Sequence, residues 1–145
     1  MKFMSYAKIK SFGELARIDK PIGIYLLLWP SLLGFLLAGT NNILNIKDFI
    51  IVIIGTILVR SCGCVINDIS DYKIDKLVYR TAGRPLATGA LTILEAWMFF
   101  IVLGLLSILL LLLTNTLTIK IATFFAFFIC IYPLTKRFLS APQFI

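Results

Sequence analysis

Asn67, Asp68, Asp71 and Asp75 stand in the run NDISDYKID, directly after the apolar stretch from Phe49 to Ile66. Successive residues of an α-helix are turned by about 100°, so Asn67, Asp71 and Asp75 fall at 0, about 40 and about 80° and share one face, with Asp68 beside it. Carboxylates packed this closely repel one another, and an aspartate costs roughly 2.5 to 3.5 kcal/mol at the centre of an inserted helix. A divalent cation bound among them would remove both penalties. The donors are hard oxygens, and Mg²⁺ typically takes one or two carboxylates together with waters and substrate phosphate oxygens. The pattern therefore points to a phosphorylated ligand. Arg60 is about 20° from Asn67 on the helical wheel and sits inside an apolar span, where a lone cation is costly. It is expected to face the same cavity, the plainer alternatives being snorkelling or an ion pair with Asp68. Lys73, Lys76, Arg80 and Arg84 follow, and could close over a diphosphate as cationic clamps.

The elements that must position these groups are membrane helices. With 60% hydrophobic residues and a mean hydropathy of +0.99, the chain is far more apolar than a soluble domain, and its apolar residues come in long blocks. Ile22 to Gly39, Phe49 to Ile66, Leu91 to Leu113 and Ile119 to Leu134 each approach the length that a hydrocarbon core of roughly 30 Å requires. The expected fold is all-α, a transmembrane helix bundle of about four spans forming one domain over residues 1–145. Residues 1–20 carry apolar side chains among lysines and suit an interfacial helix on an anionic leaflet. Residues 67–90 form an Asp-rich and then basic loop, long enough to suggest function.

The net charge of +7 could suggest nucleic acid, but the cations cluster beside the apolar blocks, as topology requires, so no nucleic-acid partner is expected. Lys2, Lys8, Lys10, Arg17 and Lys20, then the Lys73 to Arg84 cations, then Lys136 and Arg137 flank alternate connections. The positive-inside rule places both chain ends and the aspartate loop in the cytoplasm. The first span is too long for a signal-peptide core and lacks a cleavage site, so it is expected to be retained. There is no histidine, and the three cysteines read as reduced packing residues. Chemistry must then use carboxylates, cations, tyrosines or metal.

Four stretches together carry a resemblance. RIDKPIG from Arg17 to Gly23, with Trp29 and Pro30, is followed by RSCGCVINDISD from Arg60 to Asp71, continuing to Asp75. RTAGRPLATG from Arg80 and YPLTKR from Tyr132 to Arg137 complete the set. In this order and spacing they resemble the UbiA-type intramembrane prenyltransferases, and within them the 4-hydroxybenzoate polyprenyltransferase branch of ubiquinone biosynthesis. The resemblance implies Mg²⁺-dependent transfer of a polyprenyl group from polyprenyl diphosphate to 4-hydroxybenzoate, in a bacterial inner (cytoplasmic) membrane and in contact with membrane lipid. It makes Asn67, Asp68, Asp71 and Asp75 the metal ligands, with Asp71 and Asp75 catalytic. Diphosphate would be bound by Arg60, Asn67, Lys73, Arg80 and Arg84, and the acceptor by Lys136 and Arg137.

Members of that family have about nine spans and a second Asp-rich motif that faces the first. The present chain has no second motif, since Asp19, Asp48 and Glu95 are scattered singletons. It is therefore expected to correspond to an N-terminal half, needing a second chain or a C-terminal half to complete the site. The different-class alternative is an inactive membrane fragment that inserts without turnover.

Overall fold

A computed structural model describes residues 6–38 and 45–135, with 129–135 described by backbone alone. Six helices account for the described regular structure: α1 Tyr6–Leu15, α2 Ile22–Ala38, α3 Ile46–Asp75, α4 Pro85–Thr88, α5 Ile93–Leu111 and α6 Thr116–Thr135. Each of the four apolar blocks forms one of the long helices, and over the described residues the molecule is an all-helical membrane bundle. α3 and α5 are long and apolar enough to cross a membrane, whereas α2 and the Thr116–Phe128 part of α6 are apolar but shorter.

Local signals explain where the helices start. Asn45 caps α3, its side-chain oxygen accepting from the Lys47 N–H at 2.9 Å. Thr92 and Glu95 make a capping box at α5: the Glu95 N–H donates to the Thr92 hydroxyl at 3.2 Å, and the Thr92 N–H donates to the Glu95 carboxylate at 2.9 Å. Both caps satisfy backbone donors that a first helical turn leaves without partners. Between α3 and α5 the chain turns through Lys76 to Arg84 and makes the one-turn helix α4, opened by Pro85 at its first position and closed by Gly89 at φ +79°. From sequence, Gly83 and Pro85 suggest a lid-like turn at this point. Instead Gly89 supplies the left-handed residue, which glycine adopts without a Cβ clash.

α3 is the central element, packing against α5 and α2 along its length and against α6, α4 and α1 more locally. At 30 residues and about 1.5 Å per residue, it is about 45 Å long. That exceeds a roughly 30 Å hydrocarbon core, so its Asn67 to Asp75 end projects as a polar extension. The buried core lies at this end, where Leu15, Val65, Ile69, Leu86, Leu91, Ala96 and Leu103 pack with Phe12, Phe99 and Phe100 around them. Elsewhere α2, α5 and the described side chains of α6 show their leucines and phenylalanines outward, the arrangement expected of helices whose solvent is lipid.

α1 does more than lie on a surface. Leu15 is fully buried, the Phe12 and Phe99 rings stand 5.0 Å apart, and Lys8 pairs with Glu95 at the start of α5. Its other side, with Tyr6 and Ile9 exposed, remains open to a lipid interface. α1 thus fastens the chain before the first span onto the polar end of α3 and α5.

Candidate functional site

The polar end of α3 holds a chain of charge-assisted contacts. Asp68 is 3% exposed and Asp75 6%, depths at which an unpaired carboxylate would be strongly unfavourable. Arginines supply the partners. The Arg17 Nη2 donates to both oxygens of Asp68 at 3.1 Å, and the Arg84 Nη1 lies 3.1 Å from Asp68 Oδ1 and 2.7 Å from Asp75 Oδ2. Asp68 and Asp75 are seven residues apart, about 20° on the wheel, so one guanidinium reaches both. Thr81 reinforces the turn, its buried hydroxyl donating to the Asp75 carbonyl at 3.1 Å.

Arg17 was absent from the sequence-derived site. It arrives by an unusual local route. The Ile18 N–H donates to the Gly13 carbonyl at 3.0 Å and the Arg17 N–H to the Glu14 carbonyl at 3.1 Å, the paired bonds of a Schellman cap closing α1. The left-handed position of that cap is usually glycine. Here it is Arg17, at φ 59°, a conformation that costs a residue with a Cβ about 1 to 2 kcal/mol. The only hint in the sequence is that Arg17 opens the RIDKPIG stretch.

Arg60 lies lower on α3. Its Nη1 donates to the Cys64 sulfur at 2.6 Å, and its guanidinium packs over Gly23 of α2 so closely that a Cβ there would fall 2.6 Å from Nη2. No carboxylate among the described residues lies within ion-pair distance of it, so the ion pair with Asp68 considered from the sequence does not form. The free thiol of Cys64 is buried, in keeping with a packing role.

The remaining assigned residues divide. Asn67 and Asp71 are half-buried on the face adjoining Asp75. Arg80 is exposed and lines, with Arg17, Lys20, Arg84, Glu14 and Asp19, an open cleft of about 550 Å³ between the α1–α2 connection and the loop. Lys73 and Lys76 instead stand over the Tyr72 ring, each ammonium 5.9 Å from its centroid. Lys136 and Arg137 lie outside the described residues.

The acidic side chains do not form a ready-made cage: among the described residues no three acidic or thiol groups gather closely enough to enclose a metal ion. The donor set still suits Mg²⁺, which needs only one or two protein carboxylates when phosphate oxygens and waters complete its shell. Asn67, Asp71 and Asp75 carry such hard oxygens along one side of α3, and the arginines beside them pair with Asp68 and Asp75.

Residues 27–145 match the UbiA prenyltransferase family. Among curated proteins, the 4-hydroxybenzoate octaprenyltransferase of Shewanella loihica is 44% identical over 136 residues, covering 94% of this chain and 47% of that relative. Those of Shewanella amazonensis and Shewanella woodyi are 44% and 42% identical over the same coverage. The chain thus spans about half the length of the curated relatives it matches. No solved structure matches it.

Proposed function

The chain belongs to the UbiA prenyltransferase family, and from that premise we propose that it carries the diphosphate-binding part of an enzyme that prenylates 4-hydroxybenzoate. The polyprenyl group would pass from polyprenyl diphosphate to the ring carbon ortho to the hydroxyl, the 3-position, as a step of ubiquinone biosynthesis. The supporting observation is the meeting of Asp68 and Asp75 with Arg17 and Arg84 at the polar end of an otherwise apolar helix. A lipid diphosphate needs such a place, with its head among charges and its tail beside lipid-facing helices. We place this end on the cytoplasmic side of a bacterial inner membrane, following the distribution of lysines and arginines.

In this reading Asn67, Asp71 and Asp75 would hold Mg²⁺, Asp68 of the expected set being held instead by Arg17 and Arg84, and Arg60, Arg80 and Arg84 would take the phosphate oxygens. Arg60, beside Cys64 and Gly23, has no carboxylate within ion-pair distance among the described residues, a setting in which an anionic ligand is stabilising. Lys73 would have to leave the Tyr72 ring to join them. Bound Mg²⁺ supplies charge neutralisation for the departing diphosphate. Arg84 keeps its Nη1 with Asp68 and Asp75 and would offer its other guanidinium donors to the phosphate. As the allylic C–O bond breaks, its electron pair leaves with the diphosphate, the ring carbon forms the new C–C bond, and the ring proton then passes to the released diphosphate or to water. Lys136 and Arg137 are proposed to receive the acceptor carboxylate.

The test is a membrane assay with Mg²⁺, polyprenyl diphosphate and labelled 4-hydroxybenzoate. It is run on this chain alone and with the C-terminal half of a relative supplied. Prenylated product in either arm supports the reading; a stably inserted chain that yields none in both would leave an inactive fragment. In the active arm, Arg137→Ala should raise the KM for 4-hydroxybenzoate about tenfold or more with little change for the prenyl donor. Equal effects on both substrates would remove Arg137 from the acceptor.

Gly23→Ala provides a check on Arg60. The new methyl meets only the end of a flexible side chain, so α2 should persist while the guanidinium shifts. Binding of the prenyl diphosphate should weaken as much as in Arg60→Gln, measured by titration in nanodiscs. Unaltered binding in both variants would detach Arg60 from the ligand.

A further inference from the structure

We propose that Arg17 is a positioning residue, joining the acidic end of α3 to the loop that carries Arg84 and so fixing Asp75 and Asp71 relative to a metal-bound diphosphate. Its role toward that ligand rests on the function proposed above. Three observations converge. The first is conformational: Arg17 holds a left-handed backbone, φ 59°, at a capping position where glycine fits without strain. Backbone strain of this kind persists where surrounding contacts hold it, and it concentrates at functional sites.

The second is the contact itself. Arg17 bridges 51 residues of sequence to grip both oxygens of Asp68. The third is what Asp68 does next, since its Oδ1 is shared with Arg84, which in turn holds Asp75. The series Arg17, Asp68, Arg84, Asp75 therefore ties the end of α1, the end of α3 and the start of α4 into one unit. Asp68, buried and occupied by two guanidinium groups, becomes an anchor. Ligation, in the function proposed above, then falls to Asn67, Asp71 and Asp75. In place of the expected ligand role, Asp68 takes in this proposal the task of holding Arg17 and Arg84.

Arg17→Gly is the informative variant, because glycine accepts the left-handed backbone and only the guanidinium is lost. Hydrogen exchange of the metal-free chain in nanodiscs should show amides of residues 68–88 exchanging about tenfold faster, with α1 unaffected. Titration with Mn²⁺ and inorganic diphosphate should show affinity lowered by about tenfold, the usual effect of losing a group that orients a metal ligand. In an Asp68→Asn background Arg17→Gly should add nothing further, since its effect passes through Asp68. Unchanged exchange at 68–88 would overturn the proposal. So would the same loss of affinity in both backgrounds, which would put Arg17 on the diphosphate directly. A wild-type chain that binds no Mn²⁺ and diphosphate would count against the prenyl-transfer reading, while the exchange comparison would still decide whether Arg17 positions the site.

Discussion

Arg84→Gln should cost the protein about 3 kcal/mol of stability, a large effect for one side chain. Arg84 is the partner of two buried carboxylates, Asp68 at 3.1 Å and Asp75 at 2.7 Å. Asp68 keeps Arg17 when Arg84 is lost, but Asp75 loses the only cation with which it forms an ion pair among the described residues. Removing one member of a buried pair leaves a charge desolvated without compensation, which is why the loss exceeds the net worth of the pair. The same reasoning gives the control. Asp75→Asn in the Arg84→Gln background removes the stranded charge and should recover a good part of the stability. Both variants can be compared by denaturant unfolding in detergent micelles. An Arg84→Gln protein that unfolds like the wild type would mean that water reaches Asp75 freely and the cluster is not a structural unit.

The parts of this architecture legible in the sequence are those that depend on runs and periodicity. Length and apolarity were enough to place the four long helices, and the wheel position of Asp68 close to Asp75 foreshadows their shared arginine. The same wheel argues against Lys73. It lies six residues beyond Asn67, about 240° round the helix, and the structure finds it over Tyr72 on another side. Its sign and nearness in sequence outweighed its angle in the sequence reading. α4 is not among the sequence-derived helices, although Pro85 at its first position and Gly89 after its last are the punctuation of even one helical turn. Arg17 was of a different kind. Nothing local distinguishes it from the lysines around it, because its role depends on a left-handed cap and on a partner far along the chain. Tertiary approach of that sort is set by how α1 docks through Phe12 and Leu15, not by spacing.

Asp71→Asn should lower Mg²⁺-dependent product formation by about a hundredfold or more in whichever arrangement of chains is active, a loss of the size seen when a group stabilising a departing charge is removed. Asp68→Asn should behave differently. Asp68 is held by Arg17 and Arg84, so its neutralisation should loosen the loop and lower stability while the oxygens of Asp71 and Asp75 proposed as ligands remain. Raising Mg²⁺ should therefore rescue a larger share of the rate in Asp68→Asn than in Asp71→Asn, because in the first the site is misplaced and in the second a ligand charge is gone. The measurement is product formation across a Mg²⁺ titration, with unfolding followed on the same preparations. If Asp71→Asn turns over normally, the metal does not rest on this side of α3. If instead the two variants show the same Mg²⁺ dependence and the same stability, Asp68 is a ligand equivalent to Asp71, and its arginine partners only hold its charge until the metal arrives. Separating the two aspartates in this way uses the one feature that the NDISDYKID pattern conceals. Within it, Asp68 is gripped by two arginines, while Asp71, a chemically identical side chain one helical turn further on, is the one proposed to serve the ligand.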